Sequence, residues 1–139
     1  MEMLLGCAHL SDDEFVTAFE ECRLEPANFH HADHVRLAWI YAGHYRGAAA
    51  EAKLLRGIRH LAAKAGVPGK FRHTTTVAWA RLVAASRTAA GAQQAFGEWI
   101  TSHPEFLERR LLEKYYSQGR LDSEAARNAW IAPDLTPLL

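Results

Sequence analysis

The stretch Phe29-His30-His31-Ala32-Asp33-His34-Val35-Arg36-Leu37-Ala38-Trp39-Ile40-Tyr41 decides the fold, because three of the chain's eight histidines fall within five residues at the head of its most hydrophobic helix. At about 100° of rotation per residue, His31 and His34 share one helical face. Val35, Ala38, Ala42 and Tyr45 continue that face, which is expected to point into the core. His30 sits about 100° round from His31 and points elsewhere. A pair of imidazoles at the head of a buried stripe needs partners, since each ring nitrogen taken from water costs free energy unless it is hydrogen-bonded.

Two readings compete for the pair. In one, His31 and His34 are core-edge histidines satisfied by backbone carbonyls or a carboxylate. In the other they ligate a divalent metal or act as acid and base, because imidazole suits transition metals and titrates near neutrality. The spacing H-x-x-H needs further ligands from another element, and it differs from the H-E-x-x-H of metalloprotease helices.

Outward from this helix, the chain reads as helices throughout. Ser11-Asp12-Asp13-Glu14 is a capping box opening a helix over about 12–22, with Phe15, Val16, Phe19 and Cys22 as its apolar stripe. Pro26 breaks that helix, and Asn28 is the expected cap of helix two, about 30–46. Helix three follows Gly47 and carries Leu54, Leu55, Ile58, Leu61, Ala62 and Ala65 before Gly66; His60 lies off that stripe and is expected in solvent. Helix four opens at His73-Thr74-Thr75-Thr76, with Val77, Ala80, Val83 and Ala84 inward. A fifth helix is expected over Gln93–Thr101 and a sixth, with Pro104 in its first turn, over Glu105–Tyr116. Ser123 caps a short helix to Trp130, and Pro133-Asp134-Leu135 turns the chain so that Leu135, Leu138 and Leu139 dock. Met3, Leu4, Leu5 and Leu10 form an apolar N-terminal arm. With no period-two alternation and no repeat, the expected fold is all-α: one single-domain bundle of about six helices with a short C-terminal helix and a docked tail.

A chain of 139 residues buries a core without a structural metal or a disulfide. Sixteen basic residues balance sixteen acidic ones, which argues against a nucleic-acid partner or an anionic membrane surface. Cys7 and Cys22 form no C-x-x-C motif and no stretch is long and apolar enough for a membrane span, so a reduced cytoplasmic protein is the expectation.

His73 has the same placement as the first pair: a helix start above an apolar stripe. If antiparallel or orthogonal packing of helices two and four brings their first turns together, His31, His34 and His73 converge on one ion with an open position, the arrangement of catalytic zinc sites. Glu25 is the favoured fourth metal ligand. Thr76, Tyr116 and Arg127 are the expected substrate contacts, an arginine beside a tyrosine hydroxyl suiting an anion. Asp33 and Arg36 lie off the inner face and are expected in surface or inter-helix ion pairs. Trp39, Trp79, Trp99 and Trp130 offer more aromatic surface than a small core needs, which makes a homodimer an expectation.

As a set, Phe29-x-His31-x-x-His34-Val35-Arg36-x-Ala38-Trp39-x-Tyr41, then His73 with Thr75, Thr76 and Trp79, then Tyr116-Ser117, Ser123-x-x-Ala126-Arg127 and Pro133-Asp134-Leu135 resembles a family of small bacterial all-helical proteins that carries no assigned activity. The resemblance spans nearly the whole chain and implies an architecture and a candidate site. One departure stands out: the family pattern has an aromatic before and a glutamate after the histidine matching His73, where this chain has Arg72 and Thr74. The expected function is a small metal-binding helical protein, an enzyme acting on a small molecule through a zinc, iron, manganese or nickel ion. The alternatives are a metal-free histidine acid/base enzyme and a non-catalytic binding or dimerisation module.

Overall fold

Ser11 opens the first helix through its hydroxyl, which accepts from the Glu14 amide (3.1 Å) while the Glu14 carboxylate accepts from the Ser11 amide (2.9 Å). Helix α1 then runs Asp12–Glu20 in the computed structural model, which describes residues 7–91 and 95–138. Met3, Leu4, Leu5, Gln93 and Leu139 lie outside the described residues.

Three helices form the centre: α2 (His31–His44), α3 (Gly47–Lys64) and α4 (His73–Ala90). Arg81 of α4 pairs with Glu51 of α3 at 2.9 Å, while His73, two turns earlier in α4, feels Arg59, two turns later in α3, so these helices are antiparallel. His31 packs on Trp79 and Arg87 lies over Trp39, so α2 and α4 run in the same direction. The apolar stripes meet in a core that includes Phe15, Phe19, Val35, Leu37, Leu54, Val83 and Trp99. Close packing needs glycine at two points. A Cβ on Gly57 would stand 2.1 Å from the Phe19 ring, and one on Gly43 would stand 2.6 Å from the Arg87 guanidinium, which donates to the Trp39 carbonyl.

Beyond the core come α5 (Phe96–Ser102), two 3₁₀ segments (Pro104–Leu107 and Arg109–Lys114), α6 (Gln118–Leu121) and α7 (Glu124–Asn128), with no strand among the described residues. The fold is all-α, as the periodicity implies. The expected continuous helix over Glu105–Tyr116 is not formed: one local and one long-range bond stand at the break. In an α-helix the Phe106 carbonyl would accept from the Arg110 amide. Here that amide bonds the Glu108 carboxylate (3.2 Å), and the Phe106 carbonyl accepts from the His31 ring (3.0 Å).

Helix α2 is not capped by Asn28. Its N-cap is His30, whose amide donates to Asp33 Oδ2 at 2.8 Å. Asp33 and Arg36 are buried rather than at the surface, and Arg36 makes the expected kind of inter-helix ion pair, with Asp12 of α1 at 2.9 Å. Asp33 Oδ1 accepts from the Cys7 amide, and Arg36 lies over the Phe15 ring and donates to the carbonyls of Cys7 and Leu10 and to Asp12. Together they strap residues 7–12 across α2. At the other end, Thr74 Oγ1 donates to the Ala129 carbonyl (2.6 Å) and accepts from the Ile131 amide (3.0 Å), Ser123 caps α7, and Asp134 accepts from Ser117. The tail is therefore held by polar bonds, while Leu135 stays exposed. Trp39, Trp79 and Trp99 are buried in the core and Trp130 is half-buried beneath Arg81. Among the described residues, no helix is long and apolar enough to cross a membrane.

Candidate functional site

At the head of α2 the His31 ring meets Trp79 edge-on, with centroids 4.7 Å apart, and its Nε2 donates to the Phe106 carbonyl at 3.0 Å. That partner assigns the proton to Nε2 and leaves Nδ1 as a lone pair. His34 lies beside it, ring centroids 6.4 Å apart, with Nε2 shut off from solvent and without a hydrogen-bond partner. Burial pushes His34 down to about 3, and the neighbouring His31 adds to the shift. Burial also lowers His31, against the opposing effect of the Phe106 carbonyl. Both rings are therefore uncharged at neutral pH.

His73 occupies another flank of α4, because Trp79, six residues on, is displaced by about 120° around the helix. Its ring faces Phe71 (6.5 Å between centroids), and burial followed by the charge of Arg59 lowers its pKa, with Glu51 opposing. Arg59 lies over the Phe71 ring at 4.7 Å. Across from them stand Glu124 and Arg127 of α7, enclosing a cleft of about 450 Å³. None of Arg59, Arg72 and Arg127 pairs with a carboxylate among the described residues. The two residues that follow Phe71 each carry a buried nitrogen without a partner, Arg72 Nη1 and His73 Nδ1. Helix α4 also begins here without a side-chain cap, so the positive end of an 18-residue helix adds to the same region.

The expected residues thus divide. His73 and Arg127 come to the same corner of the molecule, linked through Phe71 and Arg59, whereas His31 and His34 sit with Trp79 and Phe106. Glu25 is exposed and lines a separate cleft with His9, Asp13 and Arg23. The Thr76 hydroxyl donates to the Arg72 carbonyl (2.9 Å), and the buried Tyr116 donates to the Ile131 carbonyl (2.7 Å), so both hydroxyls are engaged in holding the fold. Among the described residues, no group of three or more His, Cys, Asp or Glu side chains is placed to hold a metal ion. The stripe of α2 beyond the histidines, Ala38, Ala42 and Tyr45, lines a different cleft of about 490 Å³ between α2, α3 and α4. Its charged groups, Glu51 and Arg81, satisfy each other.

No family model, curated protein or solved structure matches the chain. Chemistry must therefore be read from the residues. Arg59, Phe71 and Arg72 were not among the sequence candidates; the signal that marks them is Lys70 and Arg72 flanking an aromatic directly before an uncapped helix start.

Proposed function

We propose that this protein binds a small organic anion, carrying a phosphate or carboxylate on a planar body, in the cleft between α3, the segment 68–71 that leads into α4, and α7. The observation that carries the reading is Arg59 and Arg127 together on the wall of that cleft, neither paired with a carboxylate among the described residues, with the buried unpartnered Arg72 Nη1 on the residue that follows the lining Phe71. An unpaired buried donor costs free energy that an incoming oxyanion recovers, and guanidinium is the group that takes such oxyanions with two parallel bonds. Phe71 offers an apolar face, and the uncapped start of α4 adds backbone amides to the positive field. His73, whose ring faces the lining Phe71 and whose pKa burial and Arg59 lower, is the nearby side chain that can serve as a proton acceptor.

Calorimetric titration with inorganic phosphate, benzoate and phenyl phosphate tests this. Phenyl phosphate binds the native chain best, and Arg59→Ala and Arg127→Ala each weaken it by about tenfold or more. Arg72→Leu leaves the empty protein as stable as before or more so, since it removes the unsatisfied donor. Absence of any anion binding to the native chain overturns the reading.

A second reading rests on the unpartnered Nε2 of His34 beside an uncharged His31: two neutral imidazoles in a form that takes a divalent ion or a substrate proton. Water or substrate atoms would have to supply the other positions around such an ion. A rise in melting temperature with zinc, iron, manganese or nickel, reversed by a chelator and lost in His34→Leu, supports it; an unchanged melt removes it.

A further inference from the structure

Outside that cleft, one nucleophile stands next to a base. Cys22 follows the end of α1 in the left-handed backbone region (φ 58°), its thiol is exposed, and its Sγ lies 3.6 Å from His60 Nδ1 of α3. Lys64 fixes this turn against α3 by donating to the carbonyls of Cys22 (2.9 Å) and Leu24 (3.0 Å). His60 in turn forms part of the wall of a cleft of about 520 Å³ between α1, α2 and α3, floored by Phe19 and Tyr41. The cleft's cations are Lys53 and Arg56; Glu20 is engaged by the Tyr41 hydroxyl (2.7 Å) and by Lys53 (3.8 Å), whereas Arg56 has no carboxylate partner among the described residues. Glu21 next to the thiol is already paired with Arg23 at 2.8 Å.

We propose that Cys22 and His60 form a reactive thiol site for small disulfides with anionic end groups. His60 Nδ1 takes the thiol proton, and the Cys22 sulfur attacks one sulfur of the disulfide. The S–S bond of the reagent breaks, a Cys22 mixed disulfide forms, and the departing thiolate receives the proton from His60. The oxidant is the disulfide itself, so one disulfide is consumed for each one made. Arg56 and Lys53 hold the carboxylates of the incoming molecule while its body rests on Phe19 and Tyr41. The other cysteine provides an internal control: Cys7 is 4% exposed, and burial raises its thiol pKa.

The test uses the full chain with 5,5'-dithiobis(2-nitrobenzoate) as the anionic probe and 2,2'-dithiodipyridine as the neutral one. In native protein a single thiol reacts, and mass spectrometry of the peptides finds the adduct on Cys22. His60→Gln slows the reaction by about tenfold at neutral pH and by much less at alkaline pH, where hydroxide replaces the base. Arg56→Gln lowers the rate with the anionic probe only. Cys22→Gly removes the reaction and keeps the fold, because glycine accepts the positive φ freely. Equal neutral-pH rates for native protein and His60→Gln, or an adduct on Cys7, overturn the assignment of the pair; equal preference for the two probes in native protein and Arg56→Gln overturns the role of the cleft.

Discussion

His31 Nε2 lies 3.0 Å from the carbonyl oxygen of Phe106, 75 residues further along the chain, and this bond joins the head of α2 to the 3₁₀ segment Pro104–Leu107. It satisfies the imidazole of the most conspicuous motif in the sequence, and it occupies the carbonyl that a regular helix through Arg110 would use. One side chain therefore sets its own tautomer and ties the head of α2 to the irregular backbone that covers it.

Replacing His31 by phenylalanine keeps an aromatic ring against Trp79 and leaves the Phe106 carbonyl without its donor. The expected loss is about 1–3 kcal/mol, the penalty for a buried acceptor left unpaired. Urea unfolding monitored by tryptophan fluorescence measures it, and an unchanged midpoint means that water replaces the bond.

His34 makes stability depend on pH. Burial holds it near 3 against an ordinary 6.5, so between those values the unfolded chain binds a proton that the folded chain does not. Stability due to this group is thus complete above about 6.5 and is lost as pH falls towards 3, at up to about 1.4 kcal/mol per pH unit. Exposed carboxylates such as Glu14 and Asp134, whose pKa values are lowered by bonds from Ser11 and Ser117, act in the same direction. The difference between native protein and His34→Gln isolates the histidine: the gap between their unfolding free energies narrows as pH falls from 6.5, and parallel curves contradict this.

How much of this could be read from the chain depends on the range of the interaction. The capping box at Ser11, the Ser123 cap and the inward Val77, Ala80 and Val83 of α4 are local, set by residues three or four apart, and they stand as the spacing implies; α2 instead is buried all round, with Tyr45 of its expected inner face exposed. Arg36 could not be read that way: by phase it is off the inner face, yet residues 7–12 fold over it and bury it with four hydrogen bonds. The candidate site follows the same rule. His73 and Arg127 were visible as residue types, but their common neighbour Arg59 belongs to a third helix, brought there only by the antiparallel packing of α3 on α4.

Gly57→Ala reverses a propensity argument. In an exposed helix interior this change stabilises by about 0.5–1 kcal/mol. Here the added Cβ would stand 2.1 Å from the Phe19 ring, and that ring is buried. The net result is destabilisation of about 1–3 kcal/mol, as for other overpacked cores. The melting temperature falls, and pairing the change with Phe19→Leu restores part of the loss; a higher melting temperature for Gly57→Ala alone contradicts the close contact of α1 with α3.

Thr74→Val is the sharpest test of how the tail is held. Thr74 is fully buried, and its hydroxyl both donates to the Ala129 carbonyl and accepts from the Ile131 amide, so one oxygen clamps the segment after α7 onto α4. Valine has nearly the same shape, which leaves the packing in place and removes only the two bonds. Because a carbonyl and an amide lose their partner together, the cost is about 2–3 kcal/mol, at the upper end for a neutral side chain. The loss is local before it is global. Hydrogen exchange at the Ile131 amide speeds up by more than the change in overall stability accounts for, while amides in the middle of α3 track the global value. The Tyr116 hydroxyl, which donates to the Ile131 carbonyl at 2.7 Å, remains as a second anchor, so combining Thr74→Val with Tyr116→Phe opens the tail further than the two changes do separately. Uniform acceleration of exchange across α3 and the tail would mean that the segment unfolds only with the whole protein and that the clamp has no local role.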